Sequence, residues 1–142
     1  RKVLMEGGRG LQLLAGRINQ TIEKALQQPA LAQHANDLAA ALQHIGAATK
    51  AAWATGEPRD ALANAVPYMQ AFGHVVLAWI WLDVFLAVPA TAPSATHSIA
   101  PHAGRARAAA YFYHYELPKI GAWLKVVERR DPLCADTPED AF

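Results

Sequence analysis

Two residues of this chain combine reactive side chains with an unusual setting, Glu116 and His74. Helical geometry places Glu116 about 40° from Ile120 on an apolar stripe, where a carboxylate needs a partner. His74 lies in a long apolar segment, where a core histidine is ordinarily hydrogen-bonded to a neighbouring helix. We predict that Glu116 is exposed or structurally paired, with His74 or an arginine as its partner. The alternatives are a carboxylate turned outward by a bend at Pro118 and a catalytic base.

The other reactive side chains do not form a pattern typical of a catalytic or metal site. No two of the six histidines have the i, i+4 spacing that places two metal ligands on one helical face, and His97 and His102 lie in a predicted loop. No serine or cysteine has an evident base partner. We therefore expect no catalytic, cofactor-binding or metal-binding residue in this chain.

A glycine-rich turn, EGGRG at residues 6–10, precedes the first predicted helix. Such turns can hold a phosphate group with their backbone N–H groups. This turn lacks the spacing and the Lys-Ser/Thr pair of a phosphate loop, and no predicted strand precedes it. A hinge between helices is the simpler interpretation.

Composition indicates a single all-α domain. The chain has 142 residues, of which 53% are hydrophobic, and alanine and leucine dominate this fraction. The 13 basic and 12 acidic side chains nearly cancel, so nucleic acid is not expected as a partner. The single cysteine, Cys134, cannot form an internal disulfide, which favours a cytoplasmic location.

Apolar spacing predicts about four helices in an antiparallel up-and-down bundle. Pro67 should kink the third helix and Pro118 should bend the last one. A long flexible loop is expected at 89–101, and a tail with at most one helical turn at 130–142. The predicted helices cover residues 10–26, 31–52, 58–88 and 103–129.

The third helix is apolar on nearly every face from residue 72 to residue 86. Its length approaches that of a membrane span, but His74 and Asp83 interrupt it and no Lys or Arg lies immediately beyond Val88. We therefore expect a central helix surrounded by others, and no membrane span.

The chain opens at Arg1 on what reads as the end of one element running into the glycine-rich turn. We expect residues 1–142 to be one domain of a larger protein, with residues 1–9 as the junction to a missing core.

Two segments resemble a known family: residues 65–76, AVPYMQAFGHVV, and residues 110–118, AYFYHYELP. Together with the glycine turn and the ending at 137–142, TPEDAF, they resemble the C-terminal accessory domain of bacterial acyl-CoA dehydrogenases of the methylmercaptopropionyl-CoA dehydrogenase type. The similarity covers essentially the whole chain.

The resemblance implies that the full-length parent is a flavoprotein oxidoreductase of fatty acid metabolism. Such enzymes use FAD to oxidise the Cα–Cβ bond of an acyl-CoA thioester, with a glutamate taking the α-proton while hydride passes to the flavin. In the family this glutamate lies in a Tyr-Glu-Gly-Thr-like motif, which these 142 residues do not contain. The resemblance therefore implies a fragment without FAD or catalytic residues of its own.

The functional hypothesis is a non-catalytic helical domain that supports folding, subunit packing or active-site cover. Its expected partners are the missing dehydrogenase core and a second subunit, and acyl-CoA is the expected substrate of the parent. The competing hypotheses are an independent helical protein–protein interaction module and a small helical enzyme or ligand carrier, which would need a deep pocket with converging polar groups.

Overall fold

The computed structural model describes residues 7–87 and 99–141. The described residues form helices and turns without a strand, and the predicted all-α bundle is confirmed. The helices are α1 (Arg9–Leu26), α2 (Ala32–Ala52), α3 (Pro58–Leu62), α4 (Ala65–Ala87), α5 (Ile99–Tyr111), α6 (Ile120–Arg129) and α7 (Leu133–Asp136). A π-helical turn (Phe112–Glu116) and a 3-10 turn (Leu117–Lys119) connect α5 to α6, and a second 3-10 turn (Glu139–Ala141) follows α7.

The core lies between α1, α2, α4 and α6, which pack against one another. Large aliphatic side chains fill its centre, and alanines with no exposed surface line the helix contacts. Because alanine lacks a bulky side chain, it lets two helices approach closely while the interior stays tightly packed. The fully buried large residues are Ile18, Leu38, Ile45, Leu82 and Leu124.

The predicted third helix is two helices, and the prediction of a kinked helix over 58–88 is wrong. The helix is interrupted between Leu62 and Ala65. Pro67 follows this interruption and lies in the first turn of α4. A proline there needs no intrahelical N–H partner, whereas in mid-helix its ring would clash with the carbonyl of Ala63. Asn64 stabilises the break, because its buried side-chain amide donates a hydrogen bond of 2.9 Å to the carbonyl of Asp131.

The last predicted helix begins earlier than expected and is not continuous. It begins at Ile99 instead of near Ala103, and Pro101 fits within its first turn. Near Pro118 the helix widens into the π-helical turn, where the N–H of Leu117 donates to the carbonyl of Phe112, five residues back. Since Pro118 has no N–H, the regular ladder cannot continue through this position.

Left-handed residues lie at or just beyond the C-terminal ends of α2 and α6, and one short helix was not predicted. Gly56 has φ +75° and lies three residues beyond Trp53, the C-cap of α2. Arg130 ends α6 with φ +52° and donates a hydrogen bond of 3.1 Å to the carbonyl of Ala51. The segment 130–142 was predicted to be a tail with at most one helical turn. It contains the short helix α7 and, after it, the 3-10 turn Glu139–Ala141. Most of the expected 1–9 junction and 89–101 loop lies outside the described residues.

Candidate functional site

Glu116 and His74 are brought together, as one of the sequence alternatives predicted. Oε2 of Glu116 lies 2.6 Å from Nζ of Lys119 and 3.7 Å from Nε2 of His74. Nδ1 of His74 lies 3.0 Å from the carbonyl of Gln70, which fits a donor N–H at that position. The closest partner of Glu116, Lys119, was not among the predicted ones.

The electrostatics of Glu116 fit a structural ion pair. The hydrogen bond from Lys119 is the main cause that lowers the pKa of Glu116, and the charges of Lys119 and His74 act in the same direction. A general base that works near neutral pH needs a raised pKa. Glu116 is therefore better suited to holding the π-helical turn against α4 than to taking a proton from a substrate.

The π-helical turn positions a second polar cluster that sequence reasoning missed. Its Tyr113 is buried, donates a hydrogen bond of 2.8 Å to the carbonyl of Ala78, and stacks on His34 with ring centroids 4.3 Å apart. Nδ1 of His34 is buried without a hydrogen-bond partner among the described residues. The one sequence signal was Pro118, three residues beyond Tyr115, because a proline inside a helix removes a backbone donor and makes the helix irregular.

Burial is the largest cause of the pKa shifts of His34 and Tyr113. Desolvation lowers the pKa of His34; the charge of Asp37 opposes this shift and that of His114 adds to it. Desolvation also raises the pKa of Tyr113 well above its usual range, and Asp37 adds to this effect. Both groups are therefore held neutral near physiological pH.

A cleft of about 500 Å³ with both polar and apolar walls lies beside this cluster. Asp37, His44 and His114 contribute to its walls, and Nε2 of His44 lies 3.0 Å from a carboxylate oxygen of Glu128. Within residues 7–87 and 99–141, however, no group of three histidine, cysteine or acidic side chains is arranged to hold a metal ion. The side chains of His97 and His102 lie outside the described set, and Cys134 is exposed.

A larger, apolar cavity of about 590 Å³ opens between the first half of α1, the end of α2, α3 and the start of α4. Its walls include Leu11, Trp53, Leu62 and Phe72. The polar groups on its wall, the hydroxyls of Thr49 and Tyr68, hydrogen-bond to each other at 2.8 Å. The cavity therefore suits apolar side chains or an apolar chain better than a polar substrate.

The outer face of α4 is exposed, so the prediction that this helix is surrounded by others is wrong. α4 buries one face, formed by Ala71, Val75, Ala78 and Leu82. The opposite face, the α4 stripe, consists of Val66, Met69, Gly73, Leu77, Ile80 and Val84. Its large members are exposed by 70% at Val66, 59% at Met69, 47% at Leu77 and Ile80, and 38% at Val84.

Among the described residues, α4 is the one helix long and apolar enough to cross a membrane, judged by length and composition alone. The inner side of α4 carries polar bonds to the rest of the bundle, since the indole N–H of Trp79 donates to the hydroxyl of Thr21 at 2.8 Å. The absence of a membrane span stays a prediction.

Comparisons with known proteins give the domain a family. No curated protein and no solved structure matched the chain. Residues 14–138 match the family described as acetyl-CoA dehydrogenase C-terminal like, and this match includes α2, α3, α4, α5, α6 and α7. The match supports the predicted dehydrogenase relationship at the level of the family and does not reach the methylmercaptopropionyl-CoA type. The chain belongs to the acetyl-CoA dehydrogenase C-terminal-like family.

Proposed function

We propose that this chain is a non-catalytic helical domain of a cytoplasmic, FAD-dependent acyl-CoA dehydrogenase. In this proposal the catalytic core precedes Arg1 in the same polypeptide and holds both the flavin and the acyl-CoA. The domain supports folding, subunit packing or active-site cover, and it takes no part in breaking bonds. Family membership and one structural feature, the exposed α4 stripe, support this function.

The α4 stripe supports a contact role because apolar surface is costly to leave in water. Burial of such surface contributes about 25 cal/mol per Å². The stripe runs from Val66 to Val84, which is about 27 Å along a helix. A row of exposed apolar side chains along one helix is a candidate contact surface with protein or membrane.

The polar groups of the bundle support a role without chemistry. Glu116 is engaged by Lys119, and its lowered pKa makes it a weak proton acceptor. Tyr113 is buried and its hydroxyl is committed to the carbonyl of Ala78. His34 is stacked on Tyr113. These groups stabilise the junction of the π-helical turn with α2 and α4.

The exposed α4 stripe also fits the second hypothesis, an independent module that binds an unrelated protein. The two functions differ in the location of flavin. A dehydrogenase domain works beside an FAD-binding core in the same polypeptide, whereas an interaction module needs no flavoprotein attached to it.

Flavin content and thermal unfolding test the proposal directly. We would purify the complete protein, the complete protein without residues 1–142, and this chain alone. The proposal predicts yellow flavin absorbance in the complete protein, a colourless isolated chain, and a shortened protein with a lower melting temperature or smaller subunit assembly. FAD bound to the isolated chain, or a complete protein without flavin, would overturn it.

A further inference from the structure

The α4 stripe has the spacing of a helix-pairing seam. Its six positions follow one another at intervals of 3, 4, 4, 3 and 4 residues, so they stay on one narrow face of the helix. The ionisable side chains of α4, Tyr68, His74 and Asp83, fall outside this face by helical angle. The six stripe residues are apolar over about 27 Å, and the exposed side chain of Gln70 lies at the edge of the seam.

The order of large and small residues along the seam is complementary to itself when reversed. Leu77 and Gly73 lie at equal distances on either side of the midpoint between Val66 and Val84. A Cβ placed at Gly73 would meet no side chain and no other element of the described structure within 4 Å. Gly73 therefore leaves open space one turn away from the exposed side chain of Leu77.

We propose that the α4 stripes of two copies of this chain pack antiparallel about a two-fold axis, with Leu77 of each copy over Gly73 of the other. The same axis places Val66 opposite Val84 and brings Met69 within one residue of the level of Ile80, while Gln70 lies level with Ile80. Each contact occurs twice, as an isologous interface requires. This inference names the partner of the contact surface and so rests on the proposed function.

A second copy fits this surface better than a polar partner, because it brings no charge onto a seam that has none. The size of the seam limits the strength of the pairing. A strip about 27 Å by 10 Å is on the order of 300 Å², whereas a specific interface buries about 800 Å² on each partner. The α4 pair should therefore reinforce subunits that other parts of the enzyme already hold together.

Site-specific crosslinking in the complete protein tests the pairing. In a Cys134→Ser background, we would co-express two differently tagged copies, one with Gly73→Cys and the other with Leu77→Cys. Mild oxidation should join the two copies efficiently, and mass spectrometry identifies the linked peptides. The matched control combines Val66→Cys with Leu77→Cys, which lie seven residues out of register in the proposed pairing and should not join.

A variant that fills the open space provides an independent check. Gly73→Leu occupies the place of Leu77 from the second copy, so a Val66→Cys and Val84→Cys pair should lose its crosslink in this background. Gly46→Leu is the control, since Gly46 is an exposed helical glycine with equally open surroundings on α2. In the Gly46→Leu background, the crosslink between Val66→Cys and Val84→Cys should persist.

Three results would overturn the pairing. One is crosslinking of each position to itself in preference to the mixed pair, which indicates parallel helices. Another is linkage of these cysteines to the dehydrogenase core of the same subunit. The third is protection of both cysteines from labelling only after phosphatidylcholine vesicles are added, which indicates a lipid-facing stripe. Flavin content of the same samples separates failure of the pairing from failure of the dehydrogenase proposal.

Discussion

Tyr113 and Ala78 join the π-helical turn to α4 through a hydrogen bond of 2.8 Å between the tyrosine hydroxyl and the alanine carbonyl. Both residues are buried, with 3% and 0% of their surfaces exposed. Because α4 carries the exposed stripe, this bond helps to fix the position of the proposed contact surface from its inner side.

Tyr113→Phe should lower the free energy of unfolding by about 1 kcal/mol, the usual contribution of a buried hydrogen bond between uncharged groups. Urea unfolding monitored by circular dichroism measures the change. Tyr111→Phe is the matched control, since Tyr111 is exposed, and it should leave stability nearly unchanged. Equal losses in both variants would contradict the role assigned to the Tyr113 hydroxyl.

Stability should depend on pH through His34. Burial lowers its pKa in the folded state below the ordinary value of 6.5, so the unfolded chain binds more protons as the pH falls through that value. The free energy of unfolding should therefore decrease as the pH falls from about 7.5 to about 5.5.

Two variants separate His34 from other groups in this pH range. His34→Phe keeps an aromatic ring over Tyr113 but cannot titrate, so the pH dependence should become flatter. Asp37→Asn removes the charge that opposes the shift, so the dependence should become steeper. An unchanged slope in His34→Phe would show that His34 is not the responsible group.

Thr21 connects α1 to α4 by accepting the indole hydrogen bond of Trp79 at 2.8 Å. Thr21→Val preserves the shape but leaves the indole N–H without this acceptor, which should cost about 1–3 kcal/mol of stability. Thr55→Val removes two exposed hydrogen bonds, one of 3.0 Å to Asp60 and one of 3.3 Å from the N–H of Glu57, and it should cost less because water can replace them. Equilibrium unfolding in urea distinguishes the two, and a neutral Thr21→Val would contradict the importance of the bond.

Glu116→Gln should leave acyl-CoA oxidation by the complete protein unchanged, since we assign the residue a structural role. It should lower the free energy of unfolding near neutral pH and make that free energy less dependent on pH in the acid range, because the variant lacks the contribution that protonation of Glu116 removes. The lowered pKa of Glu116 stabilises the folded state above the ordinary value of 4.5, and this contribution is lost as the pH falls below it. Loss of oxidation with normal flavin content and normal stability at neutral pH would instead indicate a catalytic base.

The sequence was sufficient for the parts of the fold that depend on local periodicity. The apolar spacing of α1 and α2 predicts both helices within one or two residues, since each buries one face against the bundle. The Glu116–His74 approach was foreseen as an alternative, because a carboxylate on an apolar stripe needs a partner.

The remaining features depend on tertiary contacts. Pro67 signals an interruption, but the bond from Asn64 to Asp131 spans 67 residues and cannot be read from local sequence. The stacking of His34 on Tyr113 likewise joins distant segments. A helix that is apolar on every face is expected to be enclosed by other helices. The sequence of α4 does not indicate which face lacks a neighbour within the domain.

Dye-linked oxidation of acyl-CoA decides whether the domain belongs to a dehydrogenase and takes no part in the chemistry. The complete protein, the protein without residues 1–142 and this chain alone would be assayed side by side with added FAD and a range of acyl-CoA chain lengths. The account predicts oxidation by the complete protein, reduced oxidation by the shortened one, and none by the isolated chain. Oxidation by the isolated chain, or its absence from a correctly folded complete protein, would contradict the account.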